Sequence, residues 1–493
     1  MTTATATAPL CRNFINGRWV ESRSGKTIER RNPANLREVT SVAPLSTRAE
    51  VREAIAAAKA AFPAWRATPA PVRGRILGRA AALMEAQKEP LARMLCREEG
   101  KTLKEALVEV QRSINIVEFT AGEGRRMGGE TIPSEAARNM AYTIKQPLGV
   151  VGAITPWNFP VAIPAWKVAP ALVAGNTVVL KPAELTPECA AKVVEIFQQA
   201  GAPAGVLNLV LGLGEEVGDE LLQDHEVRAI SFTGSNEVGS LIYSLAARGM
   251  KKCQCEMGGK NPVVVLGDAD LALAAESTVQ GAFGSSGQRC TATSRVVVEQ
   301  GVADRFVEMV LERARKLKVG DGLDPDTAVG PLVDERQLET VLRYLEIGKR
   351  EGRTLLGGAR LSGGGYDHGH FVQPTVFDHV RWDSVVAQEE IFGPVLSVIR
   401  VADFDEAVRV ANSVKYGLSS SIYTSDVRKM FEFIDRTETG MTHVNLPTVA
   451  SEAQLPFGGT KSTGVGLRET GRVAIDFYTE LKSVYIDYAP PGE

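Results

Sequence analysis

Between residues 148 and 258 short apolar runs alternate with amphipathic stretches in a regular order. Gly149–Ile154 is continuously apolar, as a strand covered on both faces must be, and Thr177–Lys181, Leu207–Leu211 and Ala229–Phe232 repeat that pattern. Val161–Ala174, Thr186–Gln199, Glu215–Leu222 and Glu237–Ala247 have helical spacing, with Pro187 in a first turn. Strand, crossover helix, strand predicts an α/β fold with a parallel, doubly wound sheet. Upstream, Thr47 to about Thr120 reads as mostly helical, most clearly at Ala54–Ala61 and Ala80–Leu95. A second α/β run starts after Gly259, with strands at Pro262–Leu266 and Val296–Val298 and helices at Leu271–Phe283 and Ala303–Leu317. Lys251–Glu256 alternates, which puts Cys253 and Cys255 on one strand face. Arg125–Lys145 breaks the pattern and reads as an arm. Lys482–Tyr488 alternates like an edge strand, a natural site for pairing between subunits. Gly357–Gly369, with His368 inside it and His370 just beyond, reads as a surface loop rather than a metal site.

At 493 residues the chain is too long for one ordinary domain. Its 44% hydrophobic and 23% charged content is globular, and a net charge of −3 with no basic block argues against nucleic acid or an anionic membrane as partner. The start has neither a basic stretch nor an apolar core, so Met1–Pro9 reads as a frayed tail and not a signal peptide. No apolar run approaches the roughly 18 residues of a membrane span. Six cysteines are scattered without a C-x-x-C pair, so no zinc or dithiol site is expected, and the compartment expected is the reducing cytoplasm.

The chemistry concentrates in three motifs. Cys290 lies in Gly287-Gln288-Arg289-Cys290-Thr291, and Glu256 opens Glu256-Met257-Gly258-Gly259-Lys260. Asn158 lies in Thr155-Pro156-Trp157-Asn158-Phe159-Pro160. A thiol can capture an electrophilic carbon, a carboxylate can activate the water that frees it, and an amide can stabilise the oxyanion. Together these suit oxidation of an aldehyde to an acid. A doubly wound sheet binds ligands beyond the carboxyl ends of its strands, here Ile154–Phe159, Lys181–Glu184, Gly212–Gly218 and Phe232–Gly239. The G-x-G-x-x-G fingerprint is absent, but Gly214, Gly218 and Gly234 are available, and a helix opening at Ser235 would present amides to a pyrophosphate. Glu184 could accept from both ribose hydroxyls and would repel a 2′-phosphate, which favours NAD over NADP; Lys181 could contact either.

These blocks, with Phe232-Thr233-Gly234-Ser235, Glu389-Glu390-Ile391-Phe392-Gly393-Pro394 and Pro456-Phe457-Gly458-Gly459, resemble the aldehyde dehydrogenase superfamily over nearly the whole chain. The resemblance implies an NAD(P)-binding domain (1–125 and 148–258), a catalytic domain (259–470) and a β oligomerisation arm (126–147 and 471–493), assembled as a dimer or a dimer of dimers. It implies Cys290 as nucleophile, Glu256 as general base, Asn158 and the Cys290 N–H as oxyanion donors, and Glu469 as a second carboxylate for proton exit. It also implies cofactor contacts from Ile154, Thr155, Pro156, Trp157, Lys181, Glu184, Gly214, Gly218, Phe232, Gly234, Ser235, Met257, Glu390 and Phe392. Within the superfamily, Gly287–Arg295, His443–Thr448 and Val161–Lys167 resemble the 2-oxoglutarate semialdehyde (2,5-dioxopentanoate) dehydrogenases. Substrate contacts are then expected from Arg112, Trp166, Arg289, Ser451 and Phe457, with Arg112 pairing with a substrate carboxylate and Arg289 lending charge to the thiol. Two alternatives stand beside this reading: a CoA-acylating dehydrogenase, which Glu256 disfavours, and a relative that kept the fold without activity.

Overall fold

A computed structural model describes residues 8–490. Most of the expected frayed start, residues 1–7, and the last three residues of the arm's range lie outside the described residues. Five parallel strands form the middle of the first sheet, in the order Leu207–Leu209, Thr177–Lys181, Val150–Ile154, Val227–Thr233, Lys252–Glu256. Val150–Ile154 and Thr177–Lys181 are buried at every position, as their apolar runs require. The chain grows the sheet outward from Val150–Ile154 in one direction, then returns to build Val227–Thr233 on its other side. That reversal opens a crevice between the loops after Ile154 and Thr233. Asn158 and Ser235 stand on those two loops.

A seven-stranded sheet follows: Arg353–Leu356, Thr375–Asp378, Val395–Val401, Thr293–Glu299, Asn261–Val265, Ser419–Tyr423 and Met441–Val444. It is parallel apart from the Arg353–Leu356 edge. Only Met257–Lys260 separate the last central strand of the first sheet from Asn261 of the second. Asn261 Nδ2 donates to the carbonyls of Cys290 (2.8 Å) and Ala292 (2.9 Å), which fixes the cysteine's loop at the head of Thr293–Glu299. A late segment, Gly464–Val465, returns to pair with Cys255–Glu256.

The helices follow local chemistry. Leu103–Glu123 starts at Thr102, whose side chain and that of Glu105 cap one another's backbone amides. Ala162–Ala174 is buried at every position, which an apolar helix with no polar face requires. Thr186 makes no side-chain cap; the buried Glu98 instead accepts from the amides of Glu188 (2.8 Å) and Cys189 (2.9 Å).

Several elements depart from expectation. The strand read at Leu207–Leu211 ends at Leu209, because the amide of Leu211 turns to the Asn13 side chain (2.9 Å). The helix read at Glu215–Leu222 opens with a π-type turn at Gly214–Gly218. Hairpins at Asn13–Val20 and Thr27–Pro44 precede the helical section. His370, expected on the surface, is buried, with its amide bonded to the Pro33 carbonyl. The alternation at Lys482–Tyr488 belongs to a longer strand, Thr479–Asp487, paired antiparallel with Asn139–Pro147. Its outer edge has no strand partner among the described residues, and Leu481 and Tyr485 are exposed.

Asn176 ties this ribbon to the first sheet. Fully buried, it accepts from the amides of Leu148 (2.7 Å) and Gly149 (3.0 Å) and donates to the carbonyls of Ala171 (3.2 Å) and Tyr478 (2.8 Å). Asn176→Ala leaves several buried backbone groups unpaired and is expected to cost about 3 kcal/mol. Calorimetry should read this as a thermal midpoint several degrees lower; an unchanged midpoint contradicts that role.

Candidate active site

Cys290 lines a cavity of about 1180 Å³, together with Glu256, Arg112, Trp166, Ser451 and Phe457. Three consecutive left-handed residues, Ser285 (φ +49°), Ser286 (φ +56°) and Gly287 (φ +68°), aim the chain toward the cysteine. Glu105 accepts from the Ser285 amide (2.6 Å), and Ser286 Oγ donates to the Gly330 carbonyl (2.8 Å), so the strained turn is held from two sides. Burial pushes the Cys290 thiol up to about 12; Glu390 and Glu256 add to the rise, and Arg112 opposes it.

Arg112 projects from Leu103–Glu123 between two rings. Its guanidinium carbon is 5.0 Å from the Trp166 centroid and 5.4 Å from that of Phe457. No carboxylate among the described residues pairs with it, and its Nε is buried without a hydrogen-bond partner. Burial pushes it down to about 10, which still leaves it cationic at neutral pH. Arg289 behaves differently from expectation. Its Nε donates to Ser285 Oγ (2.9 Å) and its guanidinium pairs with Glu105 (3.3 Å), so it lines the cavity as a brace for the cysteine's turn, and its charge is spent on Glu105.

Asn158 is buried and reaches the same turn, with Nδ2 donating to the Gln288 carbonyl at 3.2 Å. Glu256 sits in a recess walled by glycines. Its Oε2 accepts from the Gly459 amide (3.3 Å). At Gly458, whose φ is +146°, a Cβ would meet Glu256 Oε1 at 2.2 Å. Burial first, and then Glu469, raise the Glu256 carboxyl well above the usual carboxylate range. Glu469 in turn is held by the Lys167 ammonium and by Gln254 Nε2 (2.8 Å).

The crevice of the first sheet opens onto this cavity through Thr233 and Met257, which line it. Lys181 is buried at a strand end, 3.6 Å from Glu184. Ser235 caps Asn236–Arg248, whose first-turn amides have no partner within the helix. A Cβ at Gly214 would meet nothing, and at Gly218 only Ile154 Cδ1 at 3.8 Å, so the floor is open. Gly234 packs on the ring of Phe232. The hydroxyls of Thr155 and Thr233 are buried without a partner among the described residues. Pro156 and Trp157 are half-buried, and Trp157 meets Phe392 edge-on at 5.4 Å. Glu390, pushed up to about 7 by burial, accepts from the Gly259 amide (2.8 Å). An open glycine floor, a helix start at Asn236 and two orphaned hydroxyls fit a dinucleotide. Among the described residues no group of three or more His, Cys, Asp and Glu could hold a metal ion.

Sequence reasoning did not single out Lys101, Glu105, Glu109 or Gln254. The Thr102–Glu105 capping box was the one available signal, and it marks a helix start rather than a site.

The thiol's position predicts its reactivity. Below a pKa near 12 the thiolate fraction grows about tenfold per pH unit. Alkylation of Cys290 by iodoacetamide in the cofactor-free enzyme should therefore climb steadily with pH. Arg112→Met should slow it at every pH, because the opposing cation is gone. A plateau with a midpoint below about pH 9 contradicts this, since it would place the thiol near its unperturbed value.

Residues 19–484 match the model of the aldehyde dehydrogenase family. The chain is 47% identical to an alpha-ketoglutaric semialdehyde dehydrogenase of Bacillus subtilis, covering 96% of this chain and 97% of that one. It is 46% identical to a 2,5-dioxopentanoate dehydrogenase of Saccharolobus solfataricus, over 95% and 98% of the two chains. A solved structure of betaine aldehyde dehydrogenase from Staphylococcus aureus in complex with NAD+ superposes with a TM-score of 0.94 at 35% identity, covering 97% of this chain and 95% of that one. With the family model spanning nearly its full length and such relatives beside it, this chain belongs to the aldehyde dehydrogenase family.

Proposed function

We propose that this aldehyde dehydrogenase oxidises a dicarboxylic semialdehyde, 2-oxoglutarate semialdehyde foremost, to the diacid, with NAD as acceptor. The observation that carries the substrate class is Arg112, a cation without a carboxylate partner among the described residues, held between aromatic rings in the cavity of Cys290. A carboxylate at the far end of a short aldehyde would complete that pair. The names of the two semialdehyde dehydrogenase relatives support the same class. Glu184, beside Lys181, supports NAD over NADP.

In this reading the Cys290 thiol gives its proton to solvent, and the thiolate sulfur bonds to the aldehyde carbon while the carbonyl π pair moves onto oxygen. Asn158 Nδ2–H and the Cys290 N–H receive that oxyanion; losing one such donor costs about 10²–10³ in rate. Bound nicotinamide would supply the acceptor for the hydride leaving this carbon, which turns the adduct into a thioester on Cys290. Glu256 then takes a proton from a water whose oxygen bonds to the acyl carbon, and the C–S bond breaks. Leaving its glycine-walled recess separates Glu256 from Glu469, which lowers the cost of ionising it. Once Glu256 is back in the recess, its proton leaves by way of Glu469.

The two sheets support a division into a cofactor part (1–125 with 148–258) and a catalytic part (259–470). The exposed edge of Thr479–Asp487 supports the ribbon as an oligomerisation arm in a dimer or dimer of dimers. The six free cysteines support a reducing, cytoplasmic setting.

A steady-state panel tests the substrate: 2-oxoglutarate semialdehyde, succinate semialdehyde, glutarate semialdehyde, betaine aldehyde and a neutral aliphatic, each with NAD and with NADP. The dicarboxylic semialdehydes should lead in kcat/KM. Arg112→Met should raise KM for them by about 10- to 100-fold, the worth of a charge-assisted bond, and leave the neutral aldehyde nearly unchanged. A lead by betaine aldehyde, or equal effects of Arg112→Met on charged and neutral substrates, overturns the anionic pocket.

A further inference from the structure

Beside Asn158, buried in the wall of the cavity, lies a charge cluster that the reaction itself does not use. Lys101, at 2% exposure, ends between two helices. Its Nζ is 2.5 Å from Glu109 Oε2, donates to the backbone carbonyl of Asn158 at 2.8 Å, and lies 4.2 Å from the ring centroid of Phe159. Glu109 uses its other oxygen, Oε1, to accept from the amides of Val161 (3.0 Å) and Ala162 (3.2 Å), at the start of Ala162–Ala174. One ion pair therefore grips both ends of the short turn that carries Asn158, with three contacts on its backbone and one on the neighbouring ring.

A buried ion pair is a poor way to gain stability, because desolvation consumes most of the attraction. Its directional contacts are worth more as geometry. An ammonium on the Asn158 carbonyl and a carboxylate on the next amides leave the 158–162 backbone little freedom to tilt. An oxyanion donor must sit within a few tenths of an ångström of its place, and a misplacement of about 1 Å can cost 10²-fold in rate. Burial by itself would depress the Lys101 ammonium; Glu109 and Glu99 more than reverse that, so the cation is retained. Glu105, one turn before Glu109 on the same helix, holds the Ser285 amide and Arg289 on the cysteine's side. Leu103–Glu123 thus clamps both loops that furnish the oxyanion donors.

We propose that Lys101 and Glu109 are positioning residues for oxyanion stabilisation, acting through the backbone of Asn158 without touching substrate. This rests on the reading of Asn158 as an oxyanion donor. The test is a double-mutant cycle on the full-length enzyme, read as the rate constant of the first NADH burst with the panel's best aldehyde. Lys101→Gln with Glu109→Gln removes both charges of the pair together; Glu99, 3.9 Å from the Lys101 ammonium, can then take up a proton, since burial pushes its carboxyl up to about 7. That pair should slow the burst about 10- to 100-fold with KM for NAD unchanged. Asn158→Ala should slow it about 10²- to 10³-fold. The three substitutions together should be no slower than Asn158→Ala alone, because a positioned group that is absent cannot be misplaced. Losses that multiply, or a pair variant with a normal burst, overturn the inference while leaving Asn158 in its role. A normal burst in Asn158→Ala overturns the underlying reading instead. Should the pair variant not fold, the isosteric Glu109→Gln alone enters the same cycle under the same criteria.

Discussion

The sulfur of the proposed nucleophile, Cys290, sits where negative charge is costly. Cys290 packs against an apolar cluster that includes Trp166 and Phe457, and two of the carboxylates that act on it, Glu390 and Glu256, make its thiolate harder to form. The rest of the site can be understood as a response to that constraint. One cation, Arg112, opposes the rise of the thiol, and the same cation is the proposed partner of a substrate carboxylate. Oxygen charge created on attack needs donors fixed in advance, because donors already in place cost no reorganisation at the moment of reaction. The low dielectric that penalises the thiol also strengthens each fixed dipole.

Two sheets divide the labour. The first, through its strand-order reversal, makes a crevice whose loops carry Asn158 and Ser235. The second begins five residues after Glu256 and supplies the strand heads at which Asn261 anchors the Cys290 loop. The proposed base, Glu256, and the proposed nucleophile, Cys290, therefore come from opposite ends of neighbouring sheets. Leu103–Glu123 bridges them, with Glu105 on the cysteine's turn, Glu109 on the Asn158 turn and Arg112 in the tunnel. A carboxylate recess lined by Gly458 and Gly459 lets Glu256 stand aside, and Glu469 and Lys167 wait behind it.

The doubly wound sheet was legible because its strands are buried on both faces, so apolar runs mark them without ambiguity. Leu271–Phe283 and Ala162–Ala174 were likewise marked by composition. The Asn16-Gly17 pair between Phe14-Ile15 and Trp19-Val20 is a hairpin signal, with both residues left-handed (φ +50° and +78°), and it went unread because the strands are only three residues long. Cys290, Glu256 and Asn158 were legible as a set, since their chemistry is complementary. Arg289 looked like a helper of the thiol because it is adjacent in sequence, yet adjacency says nothing about direction, and Glu105 claims it. Lys101 and Glu109 were invisible for the opposite reason: a Lys and a Glu eight residues apart around a helix start look like solvent-facing charges. Only the fold brings Asn158 to them.

The central claim is that carbon is carried on Cys290 and released by a water that Glu256 activates. Intact-mass spectrometry of Glu256→Gln, mixed with NAD and a semialdehyde, measures it directly. The account predicts a single burst of NADH, as fast as in the parent enzyme, and an acyl adduct that accumulates on Cys290 in step with it. Sustained turnover by this variant, or a burst without any adduct on the cysteine, would contradict it.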